Sequence, residues 1–84
     1  MSQSNDGDRR RIRSARGMGA FVAERREELG LTQQDLASRA GVSRAWVARF
    51  ERDGSSAVLF RVMDTLSALG VSVDLKVEGD GNGA

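Results

Sequence analysis

The sequence predicts a mostly α-helical chain of four short helices followed by one β-strand. Apolar residues recur at helical spacing between glycines that end helices, at Gly30, Gly41 and Gly70. The period then changes, because residues 71–77 (VSVDLKV) alternate apolar and polar side chains, as a half-buried strand does. A chain of 84 residues has room for one small domain.

The first two helices are defined by their start and stop signals. We expect the first helix to run from about Ser14 to Leu29. The second is expected to begin at Thr32, where the letters TQQD match a capping box. In that motif the Thr32 hydroxyl accepts from the amide of Asp35, whose carboxylate reaches back. The positions expected to face inward are Met18, Phe21, Val22 and Leu29 on the first helix and Leu36, Ala37 and Ala40 on the second.

The third and fourth helices follow the same logic. Ser43 is the expected N-cap of the third helix, and the Asp-Gly pair at residues 53 and 54 ends it. The fourth helix is expected from about Ser56 to Leu69. The positions expected to face inward are Val47 and Phe50 on the third helix and Leu59, Val62, Met63, Leu66 and Leu69 on the fourth.

The chain therefore divides into four predicted segments. Residues 1–13 have few apolar side chains and are expected to form a flexible basic arm. Residues 14–70 form the helical domain, residues 71–78 the strand, and residues 79–84 a flexible tail. A lone strand leaves its backbone groups unpaired, so we expect it to pair with the same strand of a second copy. That homodimer would be held by Val71, Val73, Leu75 and Val77.

The composition excludes several classes of site. The chain has no cysteine, histidine or tyrosine. It therefore has no disulfides, no cysteine nucleophile and none of the commonest zinc sites. No catalytic residues, metal or cofactor are expected, and the chain is not predicted to be an enzyme. No apolar run approaches the roughly 20 residues needed to span a bilayer, and no signal peptide is evident. A cytoplasmic protein without membrane partners is expected.

The arginines are distributed unevenly. The net charge is only +1, but the basic residues are almost all arginine, with one lysine, Lys76. A run of five falls within eight residues that contain no acid: Arg9, Arg10, Arg11, Arg13 and Arg16. Such a run is compatible with a solvated tail, with an arm that follows DNA, or with a segment that binds a protein partner. It can also pair with the C-terminal strand through Ile12.

The second and third helices form a candidate helix-turn-helix. They are joined by Gly41 and Val42 alone, and a glycine allows the positive φ that such a turn needs. Small residues, Ala37 and Ala40, stand where the two helices would cross. The N-terminal end of the second helix of such a motif enters the major groove, and the residues that suit that position are Ser43, Arg44, Ala45 and Arg49.

The stretch LGLTQQDLASRAGVSRAWVARFERDG resembles the helix-turn-helix of the Xre/Cro repressor family. The resemblance extends over residues 17–70 and implies a lambda-repressor-like DNA-binding domain. A fourth helix followed by one strand is similar to HipB-like antitoxins, the DNA-binding partners of HipA-type kinase toxins. The resemblance therefore implies double-stranded DNA and, for the narrower match, a HipA-like kinase toxin as partners.

The resemblance also implies roles for individual residues. Gln33 matches a glutamine that contacts a phosphate and braces the recognition helix. Arg44 and Ala45 match base-reading positions, and Arg49 matches a position that reaches a base or a phosphate. Arg26 and Glu51 match a salt bridge between the first and third helices.

Trp46 departs from the family pattern, in which a small hydroxyl residue is common. Its ring either lies along the sugar-phosphate wall of DNA or packs over the second helix, shielded by arginine side chains. Arg44 likewise either contacts a base or is a solvated surface residue. An acidic patch on the first helix faces solvent or a partner: Glu24, Glu27 and Glu28.

The function expected from these features is sequence-specific repression of transcription. The leading hypothesis is an antitoxin that represses its own operon with a HipA-like toxin. The alternatives are a stand-alone repressor and a protein-interaction module that has lost DNA binding. In a two-fold dimer the recognition helices lie roughly 34 Å apart, which matches a palindromic operator.

Overall fold

The computed structural model describes residues 8–79. Parts of the predicted arm and tail, residues 1–7 and 80–84, lie outside the described residues. The described part holds four α-helices and one 3-10 turn, and none of its helices is long and apolar enough to cross a membrane. The elements are α1 (Ala15–Glu28), α2 (Gln33–Ala40), α3 (Arg44–Arg52), the 3-10 turn (Gly54–Ser56) and α4 (Leu59–Ala68).

The predicted caps of α2 and α3 are confirmed. The Thr32 hydroxyl accepts from the Asp35 amide at 3.0 Å, and the Asp35 carboxylate accepts from the Thr32 amide at 2.9 Å. The hydrogen bonds from Thr32 lower the pKa of Asp35, because they favour its charged form. At the start of α3 the Ser43 hydroxyl accepts from the Trp46 amide at 3.0 Å. Side chains near in sequence therefore set where both helices of the motif begin.

The predicted start of α4 was three residues too early. Residues 54–56 form a 3-10 turn instead, and the Asp53 carboxylate accepts from the Ser55 amide at 2.9 Å within it. α4 then begins at Leu59, after Val58, which makes no side-chain cap. At the far end Gly70 adopts a φ of 72° and the Val71 amide donates to the Leu66 carbonyl at 3.0 Å, so the predicted glycine stop is confirmed.

The core lies between all four helices. α1 packs on α3 at a close approach, because a Cβ added to Gly19 would lie only 2.1 Å from the Phe50 carbonyl oxygen. α2 packs on both α3 and α4. The buried apolar residues are Val22, Leu36, Ala37, Val47, Phe50, Val62, Leu66 and Leu69.

Part of the predicted apolar face of α4 is not buried. Leu59 is 71% exposed and Met63 is 45% exposed, whereas Val62, Leu66 and Leu69 lie in the core. Leu29 at the end of α1 is also exposed, at 41%. Helical spacing placed the α4 residues on one stripe, but the single chain is too small to cover the full width of that stripe.

The predicted C-terminal strand is not formed by the single chain. Residues 71–78 carry no regular secondary structure, and residues 8–79 contain no β-strand. A strand is defined by hydrogen bonds to a neighbouring strand, which one copy does not supply here. Val71 packs partly against the core, whereas Leu75 is 90% exposed and Val77 is 81% exposed. The strand and its pairing across a dimer therefore stay predictions.

Candidate nucleic-acid interface

The predicted helix-turn-helix is present as α2, a three-residue connection (Gly41, Val42 and the cap Ser43) and α3. Gly41 has a φ of 73° and a ψ of 32°, in the left-handed region, and the Val42 amide donates to the Ala37 carbonyl at 3.1 Å. Ala37 is fully buried between the helices and Ala40 is half-buried. The small residues and the turn glycine thus bring the two helices together as the sequence indicated.

The structure gives α3 one buried apolar face and one exposed basic face. Val47 and Phe50 are buried. Arg44, Ala45 and Arg49 are exposed, as is Ser43, whose hydroxyl is used in the cap. Successive residues of a helix are about 100° apart, so the first turn and the following turn present their arginines on the side away from the core. This exposed basic face is the candidate interface.

Arg26 and Glu51 form a largely buried ion pair between α1 and α3. The Arg26 Nε donates to Glu51 Oε2 at 2.7 Å, and Nη2 donates to Oε1 at 3.0 Å. Their side chains are 12% and 7% exposed. The hydrogen bonds to Glu51 raise the pKa of Arg26. Arg26 Nη1 also donates to the Leu31 carbonyl at 2.8 Å, which ties the α1–α2 connection to the same guanidinium.

Gln33 connects this ion pair to the exposed face of α3. Its Nε2 donates to Glu51 Oε1 at 3.0 Å, and its Oε1 accepts from Arg44 Nη1 at 3.2 Å. The contact between Gln33 and Glu51 was not expected from the sequence, since 18 residues separate the two. Arg44 is therefore an exposed side chain with one hydrogen bond to its neighbour on α2.

Trp46 packs against its own helix. Its ring is stacked on that of Phe50, with the centroids 5.0 Å apart and an angle of 12° between the planes. The half-buried ring lines a shallow cavity of about 490 Å³ together with Arg49, Arg61 and residues 41–43 of the connection between α2 and α3. The ring also packs against the core cluster that includes Leu36 and Ala37 of α2, so its packing over α2 stays a prediction. Contact with DNA from this edge of α3 stays a prediction.

The described part of the basic arm lies against α1. The Arg10 guanidinium bonds Glu24 at 2.8 Å and both Glu28 and Asp8 at 2.9 Å, and it lies 5.3 Å from the Phe21 ring centroid. The hydrogen bond from Arg10 lowers the pKa of Glu28. Two acids of the predicted acidic patch thus face the arm. Their spacing of four residues on α1 is the sequence signal that indicated one shared face.

A groove with an apolar wall lies between the arm, α4 and the C-terminal segment. It measures about 1320 Å³, and its lining includes Ile12, Phe21, Leu59, Val73 and Leu75. We define the α4 surface as five exposed apolar residues of α4 and the C-terminal segment, three of which line the groove: Leu59, Val73 and Leu75, with Met63 and Val77. Of the predicted dimerisation residues, Val71 is half-buried against the core and the other three belong to the α4 surface.

The residues that the structure describes were also compared with the side-chain groupings that hold metal ions. Within residues 8–79, no three acidic, histidine or cysteine side chains are grouped so that they could hold an ion. The polar groups around α3 are instead arginine donors and a glutamine amide. Such groups suit phosphate oxygens and base edges.

Comparison with known proteins agrees with this geometry. A model of the helix-turn-helix domain family matches residues 17–78. The HTH-type transcriptional regulator y4mF of Sinorhizobium fredii is 32% identical over 71 residues, which is 84% of this chain and 93% of that protein.

Solved structures show the same fold. HipB in a HipA–HipB–O2–O3 complex is 25% identical, with a TM-score of 0.76 over 82% of this chain and 97% of that one. The restriction-modification controller protein C.AhdI of Aeromonas hydrophila is 28% identical, with a TM-score of 0.64 over 69% of this chain and 84% of that one.

Proposed function

Since the chain belongs to the helix-turn-helix domain family and is an Xre-like regulator resembling HipB, we propose that it is a sequence-specific repressor that binds DNA as a homodimer. The observation that carries the proposal is the exposed basic face of α3. Its arginines point away from the core at the end of the motif that enters a major groove. The neighbouring residues of α2 and α3 hold that face in place.

Arg44 is the proposed base-reading residue. It stands at the first position of α3, is exposed, and keeps donors available beyond its one hydrogen bond to Gln33. A guanidinium matches the two acceptors of a guanine edge in the major groove. Ala45 offers a methyl group for apolar contact beside it. Ser43, already used as a cap, lies where its backbone can approach a phosphate.

Three other residues are proposed to position the protein on the DNA backbone. Gln33 at the start of α2 has a second amide hydrogen for a phosphate. Arg49 lies one turn beyond Ala45 on the exposed face. The indole of Trp46, fixed by its stacking on Phe50, can donate to a phosphate from the edge of α3. These contacts set register and affinity rather than sequence preference.

The α4 surface is the proposed dimer interface. Leu75 and Val77 are 90% and 81% exposed, and Leu59 is 71% exposed in the same groove. Antiparallel pairing of residues 71–77 from two copies would satisfy their backbone groups and cover these side chains. A two-fold axis through that pairing would place two copies of α3 on one palindromic operator.

The proposal has two versions, which differ in whether the chain also binds a protein partner. The similarity to HipB, which forms a complex with HipA, supports an antitoxin that binds a HipA-like kinase toxin. The similarity to the controller protein C.AhdI supports a stand-alone repressor. A kinase-like reading frame directly adjacent to this gene, whose product co-purifies with the chain, would favour the antitoxin. Its absence would favour the stand-alone repressor.

The test of DNA binding is selection from a random pool of duplexes, followed by titration of the selected duplex and a scrambled duplex of equal length. Arg44→Ala should lower the affinity ratio between the two by about 5- to 150-fold, the equivalent of about 1–3 kcal/mol. The control is Arg25→Ala, which removes the same charge from α1 and should leave the ratio unchanged. An Arg44→Ala protein with the parent's ratio would overturn the groove assignment.

A further inference from the structure

Glu51 lies about two helical turns beyond Arg44 on α3, at the edge of the buried face, and both of its oxygens are in use. Oε2 accepts from Arg26 Nε at 2.7 Å, while Oε1 accepts from Arg26 Nη2 and from Gln33 Nε2, each at 3.0 Å. The side chain is 7% exposed. A two-point contact with a guanidinium leaves a buried carboxylate little freedom. Glu51 is therefore a hydrogen-bond acceptor held in a fixed position beside the side-chain amide of Gln33.

This fixed acceptor determines which way the Gln33 amide points. Because Nε2 faces the carboxylate, Oε1 faces outward, where it accepts from Arg44 Nη1 at 3.2 Å. The opposite orientation would set an oxygen against the carboxylate and an NH2 group against the guanidinium. Both contacts would lose their hydrogen bonds, and an unmade bond at a partly buried group is costly. The charges on the two sides thus select one amide orientation.

We propose that Glu51, held by Arg26, is a positioning residue for base readout: it orients Gln33 and through it Arg44. The inference rests on the proposed function, since it concerns how a DNA-reading side chain is held. The chain of contacts crosses three helices, from Arg26 on α1 through Glu51 on α3 and Gln33 on α2, and back to Arg44. The buried ion pair then serves recognition as well as the fold.

The physical advantage of this arrangement is that the Arg44 side chain is ordered before DNA binds. An arginine side chain has many rotamers, and ordering them on binding lowers affinity. The Gln33 oxygen keeps Arg44 near the start of α3 before DNA arrives. Loss of the anchor should therefore reduce discrimination between DNA sequences. It should leave the contribution of the α3 arginines to sequence-independent affinity unchanged, because their number stays the same.

The test replaces both members of the ion pair by apolar groups, Arg26→Met with Glu51→Leu. Replacing both partners avoids the unpaired buried charge that a single substitution leaves, so the fold is expected to persist. The matched control is Arg25→Met with Glu28→Leu, which removes one charge of each sign from an exposed pair 3.3 Å apart on α1. Circular dichroism and sedimentation check that both variants are folded.

The readout is the affinity ratio between the duplex that the parent selects and its scrambled counterpart. We expect the Arg26/Glu51 variant to lower that ratio by about tenfold, within the range expected for one base contact, and the control to keep it. The same double substitution in an Arg44→Ala background should lower the ratio no further, because it acts through Arg44. A general loss of stability would lower binding to both duplexes in either background.

An unchanged ratio, or an equal fall with and without Arg44, would overturn the inference. Should the double variant not fold, Gln33→Met removes the middle link and leaves the ion pair in place, and the same dependence on Arg44 is expected. A parent that selects no duplex would overturn the proposed function itself. A parent that selects one, with a ratio insensitive to Gln33 and Glu51, would overturn this inference alone.

Discussion

The α2–α3 side of the molecule and the α4 surface differ in how far one chain completes them. Around α3, Arg26, Glu51, Gln33 and Arg44 form one connected set of hydrogen bonds within the chain. On the α4 surface, large apolar side chains are exposed and residues 71–78 form no ladder. The proposed recognition side is therefore complete within one copy, whereas the proposed dimer interface leaves its apolar side chains uncovered in one copy.

Removal of residues 73–84 is expected to have the largest effect, because it deletes the C-terminal part of the α4 surface. Truncation after Ser72 keeps Val71, whose amide donates to the Leu66 carbonyl at 3.0 Å at the end of α4, so the helical domain should fold. The shortened chain should sediment as a monomer at micromolar concentration. Its affinity for the selected duplex should fall by about 10²- to 10⁴-fold, because two linked half-sites become two independent ones. A truncated chain that binds with the parent's affinity would contradict the proposed role of the segment.

Two leucine substitutions should distinguish the stability of the single chain from the stability of the proposed dimer. Leu36 is fully buried, so Leu36→Ala should lower the free energy of unfolding by about 2–5 kcal/mol in urea denaturation. Leu75 is 90% exposed, so Leu75→Ala should leave monomer stability unchanged and weaken dimerisation instead. Stability that depends on protein concentration in the parent, and less so in Leu75→Ala, would separate the two effects. Equal losses from both substitutions in dilute protein would mean that Leu75 is buried within one copy.

The features that the sequence predicted correctly are mostly local. The capping box of Thr32 and Asp35, the Ser43 cap and the left-handed Gly41 all depend on contacts within a few residues. The resemblance to the Xre/Cro family, rather than any pattern of spacing, implied the pairing of Arg26 with Glu51.

The features that the sequence missed depend on distant contacts. The bond from Gln33 to Glu51 requires α2 to lie beside α3, and the docking of Arg10 requires the arm to fold back on α1. Leu59 is 71% exposed although it lies on the apolar stripe of α4. Periodicity identified an apolar stripe on that helix, but it cannot say how much of the stripe one small chain covers.

The smallest expected effect concerns the arm, whose ion pairs with α1 are exposed to solvent. The hydrogen bond from Arg10 lowers the pKa of Glu28 below its ordinary value of 4.5 in the folded chain. The unfolded chain therefore takes up this proton first as the pH falls. The contribution of Glu28 to stability is complete above about 4.5 and is lost as the pH falls through the lowered folded-state pKa.

Glu28→Gln should flatten the dependence of stability on pH in that window by a small amount, since the contact is exposed and screened by solvent. Arg10→Met should flatten it by at least as much, because it also removes the bonds to Asp8 and Glu24. The double variant should resemble Arg10→Met alone, because both changes remove the same bond. Urea unfolding at a series of pH values from 6 down to 3, at low salt, measures how the free energy of unfolding changes with pH. Additive slopes from the two substitutions would show that Glu28 and Arg10 do not interact in solution.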